Sequence, residues 1–96
     1  MLNVGERAGF VISASEDEVK LVGYGVYEGE FIPPAEVSSA MNKLCVCSPR
    51  IKLDNGQEVY GFEGYWGSEE GMKSFVAKRK SVVMVDIDQY RKENQQ

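Results

Sequence analysis

The stretch Arg50-Ile51-Lys52-Leu53-Asp54-Asn55-Gly56-Gln57-Glu58-Val59-Tyr60 constrains the fold more than any other part of the chain. Asn-Gly is the preferred pair for a two-residue type I′ hairpin turn, because both residues tolerate positive φ. Such a turn at Asn55-Gly56 sets Leu53 opposite Glu58, Lys52 opposite Val59 and Ile51 opposite Tyr60. Side chains alternate along a strand, so Ile51, Leu53, Tyr60, Phe62 and Trp66 are expected on one, core-facing side. Lys52, Val59, Glu63 and Tyr65 are expected on the other.

A hairpin needs a sheet to join, and the preceding residues supply one. From Arg7 to Ala14 the residues Ala8, Phe10, Ile12 and Ala14 share a face, and Ser15-Glu16-Asp17-Glu18 then breaks the run with polar turn formers. Val19 to Tyr27 is apolar on both sides, with Val19, Leu21 and Tyr27 on one and Val22, Tyr24 and Val26 on the other. That pattern belongs to a strand covered on both faces, or to one that turns a corner. Gly23 and Gly25 mark a bend, a bulge or the close approach of another backbone. Arg7–Tyr27 therefore reads as a long curved hairpin.

Glu28–Pro34 is a connector ended by two prolines, and Pro34 suits the first turn of a following helix. Val37, Ala40, Met41 and Leu44 predict a short amphipathic helix within Ala35–Leu44, with an irregular segment as the alternative because Ser38 and Ser39 interrupt it. A clearer helix begins after Ser68, a good N-cap. Glu69 and Glu70 lie at its positive end, Lys78, Arg79 and Lys80 at its negative end, and Met72, Phe75 and Val76 form its apolar stripe. The β-branched run Ser81–Ile87 predicts a buried strand, and the polar segment 89–96 is expected to fray after at most a helical turn around Tyr90. These elements make one α+β domain over residues 1–88, in the order β-β-α-β-β-α-β. Its mainly antiparallel sheet has about five strands and one or two helices, and is curved, with closure into a barrel left open.

Ninety-six residues suffice for one core. No apolar run approaches the roughly 20 residues of a membrane span, and the first seven residues lack the pattern of a secretory leader, so a cytoplasmic protein with no membrane partner is expected. The net charge of -4, with acids scattered, makes nucleic acid an unlikely partner, since phosphate binding needs clustered Lys and Arg.

Chemistry is scarce. Histidine is absent, which removes the commonest general base and argues against a catalytic triad. Cys45 and Cys47 are too close in sequence to pair readily and too few for a zinc site, so they read as small hydrophobes. The glycine-rich Gly61-Phe62-Glu63-Gly64-Tyr65-Trp66-Gly67 lacks the Lys-Ser/Thr ending of a phosphate loop. Asp86 with Asp88, Glu28 with Glu30, and Glu63 supply carboxylates that suit a hard cation, but their spacing matches no binding loop, so no metal and no cofactor is assigned.

Aromatic residues are the stronger signal. Tyr24, Tyr27, Tyr60, Phe62, Tyr65 and Trp66 fall in two stretches of one sheet, and Tyr65 alternates away from Phe62. Tyrosine and tryptophan combine apolar area with a hydrogen-bonding group, which suits an interface or a ligand pocket as well as a core. Val4-Gly5-Glu6-Arg7, Gly23-Tyr24-Gly25-Val26-Tyr27-Glu28-Gly29, Leu53-Asp54-Asn55-Gly56 and Tyr60–Gly67 together resemble stretches of short uncharacterised bacterial and phage proteins. The resemblance implies a bacterial or mobile-element origin, and no activity or site residue follows from it.

The expected function is a non-enzymatic protein-binding module, self-associating or with another protein. The binding residues expected are Tyr24, Tyr27, Tyr65, Trp66, Glu63, Arg50 and Lys52. The alternative is a module for a planar small molecule such as a nucleotide or metabolite, stacked on Tyr65 or Trp66, with Arg7, Lys52 or Arg50 supplying charge. A carboxylate-dependent enzyme using Glu63, Asp86 or Asp88 is the third reading.

Overall fold

The computed structural model describes residues 2–94. They run β1 (Arg7–Ala14), β2 (Glu18–Phe31), α1 (Ser39–Lys43), β3 (Ser48–Leu53), β4 (Glu58–Tyr60), a 3-10 turn (Gly61–Glu63), β5 (Tyr65–Ser68), α2 (Glu69–Ala77), β6 (Ser81–Met84) and α3 (Ile87–Asn94). The result is an α+β domain with a mainly antiparallel six-stranded sheet and three helices. The strand order is β4-β3-β2-β1-β5, with β6 beside the start of β2. The sheet curls without closing into a barrel, its path ending at β4 on one side and β5 on the other. Among the described residues no helix is long and apolar enough to cross a membrane.

β2 carries this arrangement. β1 pairs with it on one side from Val19 to Val26. On its other side β6 pairs in parallel with Glu18–Leu21, and β3 pairs antiparallel from Gly25 onward. Since β5 is antiparallel to β1 and β6 parallel to β2, β5 and β6 run the same way. Parallel strands need a crossover rather than a tight turn, and α2 supplies it.

Two cores follow, one on each face. On one, Ala8, Phe10, Ile12, Val22, Tyr27, Ile51, Leu53, Val59 and Ile87 are buried together. On the other, Val11, Val19 and Leu21 meet Met72, Phe75 and Val76 of α2. A bulge divides the residues of β2 between them. Phe10 stands opposite Gly23 but Val11 opposite Leu21, so Val22 is an extra residue that shifts the alternation. Val19 and Leu21 therefore lie on the α2 face while Tyr27 joins Val22 on the other, which corrects the expected grouping of Val19, Leu21 and Tyr27.

The central hairpin also differs by one residue. Leu53 N–H donates to Gln57 C=O at 2.8 Å and Gly56 N–H to Leu53 C=O at 2.9 Å, giving a three-residue loop. Gly56 alone takes positive φ, +93°, while Asn55 Oδ1 accepts from Gln57 N–H at 2.9 Å. Asn55 thus stabilises the loop through its side chain, and the turn is a type I turn followed by a glycine bulge. Ile51 stands opposite Val59 and Arg50 opposite Tyr60. Val59 is accordingly buried.

Other expectations shift for similar reasons. Phe62 is 47% exposed because the chain leaves the strand after Tyr60 and enters the 3-10 turn. The helix within Ala35–Leu44 shrinks to Ser39–Lys43, started by Ser38 Oγ accepting from Met41 N–H at 3.2 Å and followed by Cys45 at φ +54°. The run Ser81–Ile87 is an exposed edge strand that leads into α3, with Ile87 as its buried residue. The segment expected to fray from Gln89 is instead the body of α3, and residues 95–96 lie outside the described residues. The N-cap at Ser68 stands, with its Oγ accepting from Gly71 N–H at 3.1 Å.

Where β2 crosses β3 the two backbones meet closely at Gly25. A Cβ there would overlap the Lys52 carbonyl oxygen and come within 2.6 Å of the Leu53 Cα. Backbone cannot swing aside as a side chain can, so Gly25→Ala is expected to lower stability by about 3 kcal/mol or more, read from the urea midpoint. Val26→Ala on the same strand should cost less.

Candidate functional site

The aromatic residues divide by environment. Tyr27 and Trp66 stack on each other, centroids 5.2 Å apart and planes 21° from parallel, against the core that holds Ile51 and Phe10. The Tyr27 hydroxyl donates to Glu30 Oε2 at 3.4 Å, and burial together with that carboxylate pushes its pKa up. Tyr24 packs on the α2 face with the Lys73 ammonium 5.4 Å from its ring centroid, and burial raises its pKa too. Tyr65 is different. It is 68% exposed on β5, opposite Val11. Beside it opens a cleft of about 320 Å³ lined by Val11, Ser13, Ala14, Met72 and Phe75.

Two of the expected cations, Arg7 and Arg50, are committed to carboxylates. Arg50 Nε donates to Glu28 Oε1 at 2.8 Å and lies 3.6 Å from Glu58 Oε2, with its guanidinium carbon 3.5 Å from the Phe31 centroid. Lys52 is exposed on β3 opposite Glu58. Arg7 bonds both oxygens of Asp54 at 2.7 Å and Glu69 Oε1 at 2.6 Å, which joins β1, the central hairpin and α2. Arg7 holds the Asp54 carboxyl below its usual range, and Lys73 with Arg7 does the same for Glu69.

The carboxylates also have separate tasks. Glu63, only 7% exposed, is gripped by Arg91, whose Nη2 lies 2.8 and 2.9 Å from the two carboxylate oxygens and also donates to the Glu58 carbonyl at 2.9 Å. Burial pushes the Glu63 pKa up while Arg91 pulls it down, and burial prevails. Asp86 Oδ2 accepts from Gln89 N–H at 2.9 Å and so caps α3. That bond, helped by Gln57, holds its carboxyl below the ordinary value. The Gln57 amide bridges Asp86 at 3.0 Å and Asp88 at 3.1 Å. Among the described residues no three cysteine, aspartate or glutamate side chains group as a metal site.

Of the seven residues expected to bind, Tyr65 is the most exposed aromatic and stands at the rim of an apolar cleft, while Trp66 borders a second cleft with Leu2 and Glu6. Tyr27 and Trp66 contact each other, whereas Tyr24, Arg50, Lys52 and Glu63 are spread over other parts of the sheet and its turns. A second surface escaped the sequence reading. Val82, Val83 and Met84 are 45%, 40% and 66% exposed on β6. Its signal was the absence of charge between Lys80 and Asp86, which also describes a buried strand. No protein-family model, curated protein or solved structure matches the chain.

Removing Arg91 leaves Glu63 buried without its cation. Arg91→Ala is expected to cost about 3–5 kcal/mol in urea unfolding, and Glu63→Leu combined with Arg91→Met to recover most of it. Asp54 has a folded-state pKa below its unfolded one, so the stability it contributes is present above about pH 4 and lost as pH falls through the folded value. Asp54→Asn should therefore be less stable than the parent at pH 7, with the gap narrowing as pH falls below about 4, as urea midpoints across that range would test.

Proposed function

We propose that the chain is a small non-enzymatic binding protein that works through contacts with protein, in the cytoplasm of a bacterium or a phage host. The observation that carries this reading is Tyr65, a large aromatic side chain held in the open on a short strand beside an apolar cleft. A monomeric protein gains nothing in stability from such a side chain left in water, whereas an interface gains both its area and its hydroxyl. β5 fixes the backbone beneath it through pairing with β1, so the ring is presented at little cost in order.

The second reading, a planar small molecule, rests on the same residue. It has less support, since Trp66 is already stacked on Tyr27 and Arg7 and Arg50 are already paired with carboxylates. A carboxylate enzyme has least, because Glu63 is tied to Arg91 and Asp86 to the start of α3.

Tyr65→Ala should leave the thermal transition almost unchanged, since the side chain is mostly exposed. It should weaken self-association or retention of a co-purifying protein about tenfold or more, measured by sedimentation and by affinity capture with mass spectrometry. Unchanged contacts in a folded variant would overturn the reading, and loss of a retained small molecule instead would favour the second one.

A further inference from the structure

β6 offers a second surface, independent of Tyr65. Among the described residues it pairs with β2 alone, so its outer N–H and C=O groups are available to another strand. Exposed edges are ordinarily protected by proline, lysine or a bulge, and Ser81-Val82-Val83-Met84-Val85 contains no proline and no charge. Charges stand at its two ends instead, Lys80 before it and Asp86 after it.

We infer that β6 pairs antiparallel with β6 of a second copy of this chain, across a two-fold axis at Val83. This rests on the protein-contact reading and names the partner. A two-fold between antiparallel strands sets one residue opposite itself, so the choice of centre fixes every pair. With Val83 at the centre, Lys80 stands opposite Asp86 of the second copy and Val82 opposite Met84, each pair occurring twice. Val82 and Met84 lie beside Val19 and Leu21, on the α2 face, and Lys80 and Asp86 flank the strand just beyond its two ends, two residues from Val82 and Met84. One face thus gains two Val–Met contacts bounded by two opposite-charge pairs, the cross-strand combinations that stabilise a sheet.

The neighbouring registers lack this match. Centring on Val82 sets Lys80 against Met84, and centring on Met84 sets Val82 against Asp86. A parallel arrangement would bring Lys80 beside Lys80. Asp86 is held by Gln89 N–H and Gln57, while Lys80 makes one loose contact, 3.7 Å to the exposed Asp17. Pairing of this kind joins the two sheets in the order β5-β1-β2-β6-β6-β2-β1-β5, with both α2 helices on one face.

The test uses disulfide trapping in the full chain, with the exposed Cys45 and Cys47 replaced by serine. Facing cross-strand Cα atoms lie about 4.5–5.5 Å apart, within the span of a disulfide. Val83→Cys should therefore cross-link with itself on mild oxidation. Val82→Cys and Met84→Cys should each fail alone and cross-link when mixed. In sedimentation the parent should show a concentration-dependent dimer, which Val83→Glu, with two carboxylates meeting at the axis, weakens about tenfold or more while the far-UV spectrum stays native. A dimer indifferent to Val83→Glu, with no cross-link at residue 83, overturns this interface and leaves the protein-contact reading standing. A monomer at every concentration with no cross-link also overturns it, and the contact reading then depends on the Tyr65→Ala comparison alone.

Discussion

β2 cannot satisfy its own backbone, and the way its two sides are shared decides the rest of the molecule. β1 takes one side from Val19 to Val26, whereas the other is divided between β6 and β3. The bulge at Val22 changes which face the side chains on either side of it meet, and Gly25 lets the β3 backbone come close just beyond it. Phe10, Ile51 and Ile87 on one face, and Val11 and Val19 on the other, are fully buried as a result.

Parts of this arrangement are legible in local residue patterns. Ser68, the two acids after it and the stripe Met72, Phe75 and Val76 describe α2 without any knowledge of its neighbours. The curvature of Arg7–Tyr27 is legible too, because glycine within an apolar strand has few other meanings. The hairpin is legible but its register is not, since Asn55 can act through its backbone or its side chain and residue preferences alone do not separate the two. α3 is invisible locally. Its sequence is polar, and beyond the local cap by Asp86 it is held by Ile87 in the core and by the bond from Arg91 to Glu63, which exist only after folding. Ser81–Ile87 reads as a buried strand because a strand covered on both faces and an uncharged edge strand share one composition.

The candidate site follows the same division. Alternation against Phe62 set Tyr65 apart, although Phe62 itself left the strand for a turn. Tyr27 and Trp66 combine an aromatic face with a polar group, which suits core and surface alike, and in the structure they stack on each other. Most of the charge near these aromatics is neutralised within the chain, by Arg7 with Asp54 and Glu69, Arg50 with Glu28, and Arg91 with Glu63. What these pairs leave for a partner is apolar contact and hydrogen bonding, which is the chemistry of a protein surface more than of a charged metabolite.

The parallel joining of β6 to β2 also sets an order of events. Residue 18 meets residue 81 across most of the chain, while β1–β2 and β3–β4 close over short loops. Distant closure costs more chain entropy and comes late, so during synthesis the first turns of β2 must wait with one side open until nearly the whole polypeptide has emerged. Val19 and Leu21 wait with it, since the α2 crossover that covers them leads into β6. A chain ended before residue 81 would keep that opening permanently, with an apolar strand edge as its most reactive surface toward other unfinished copies.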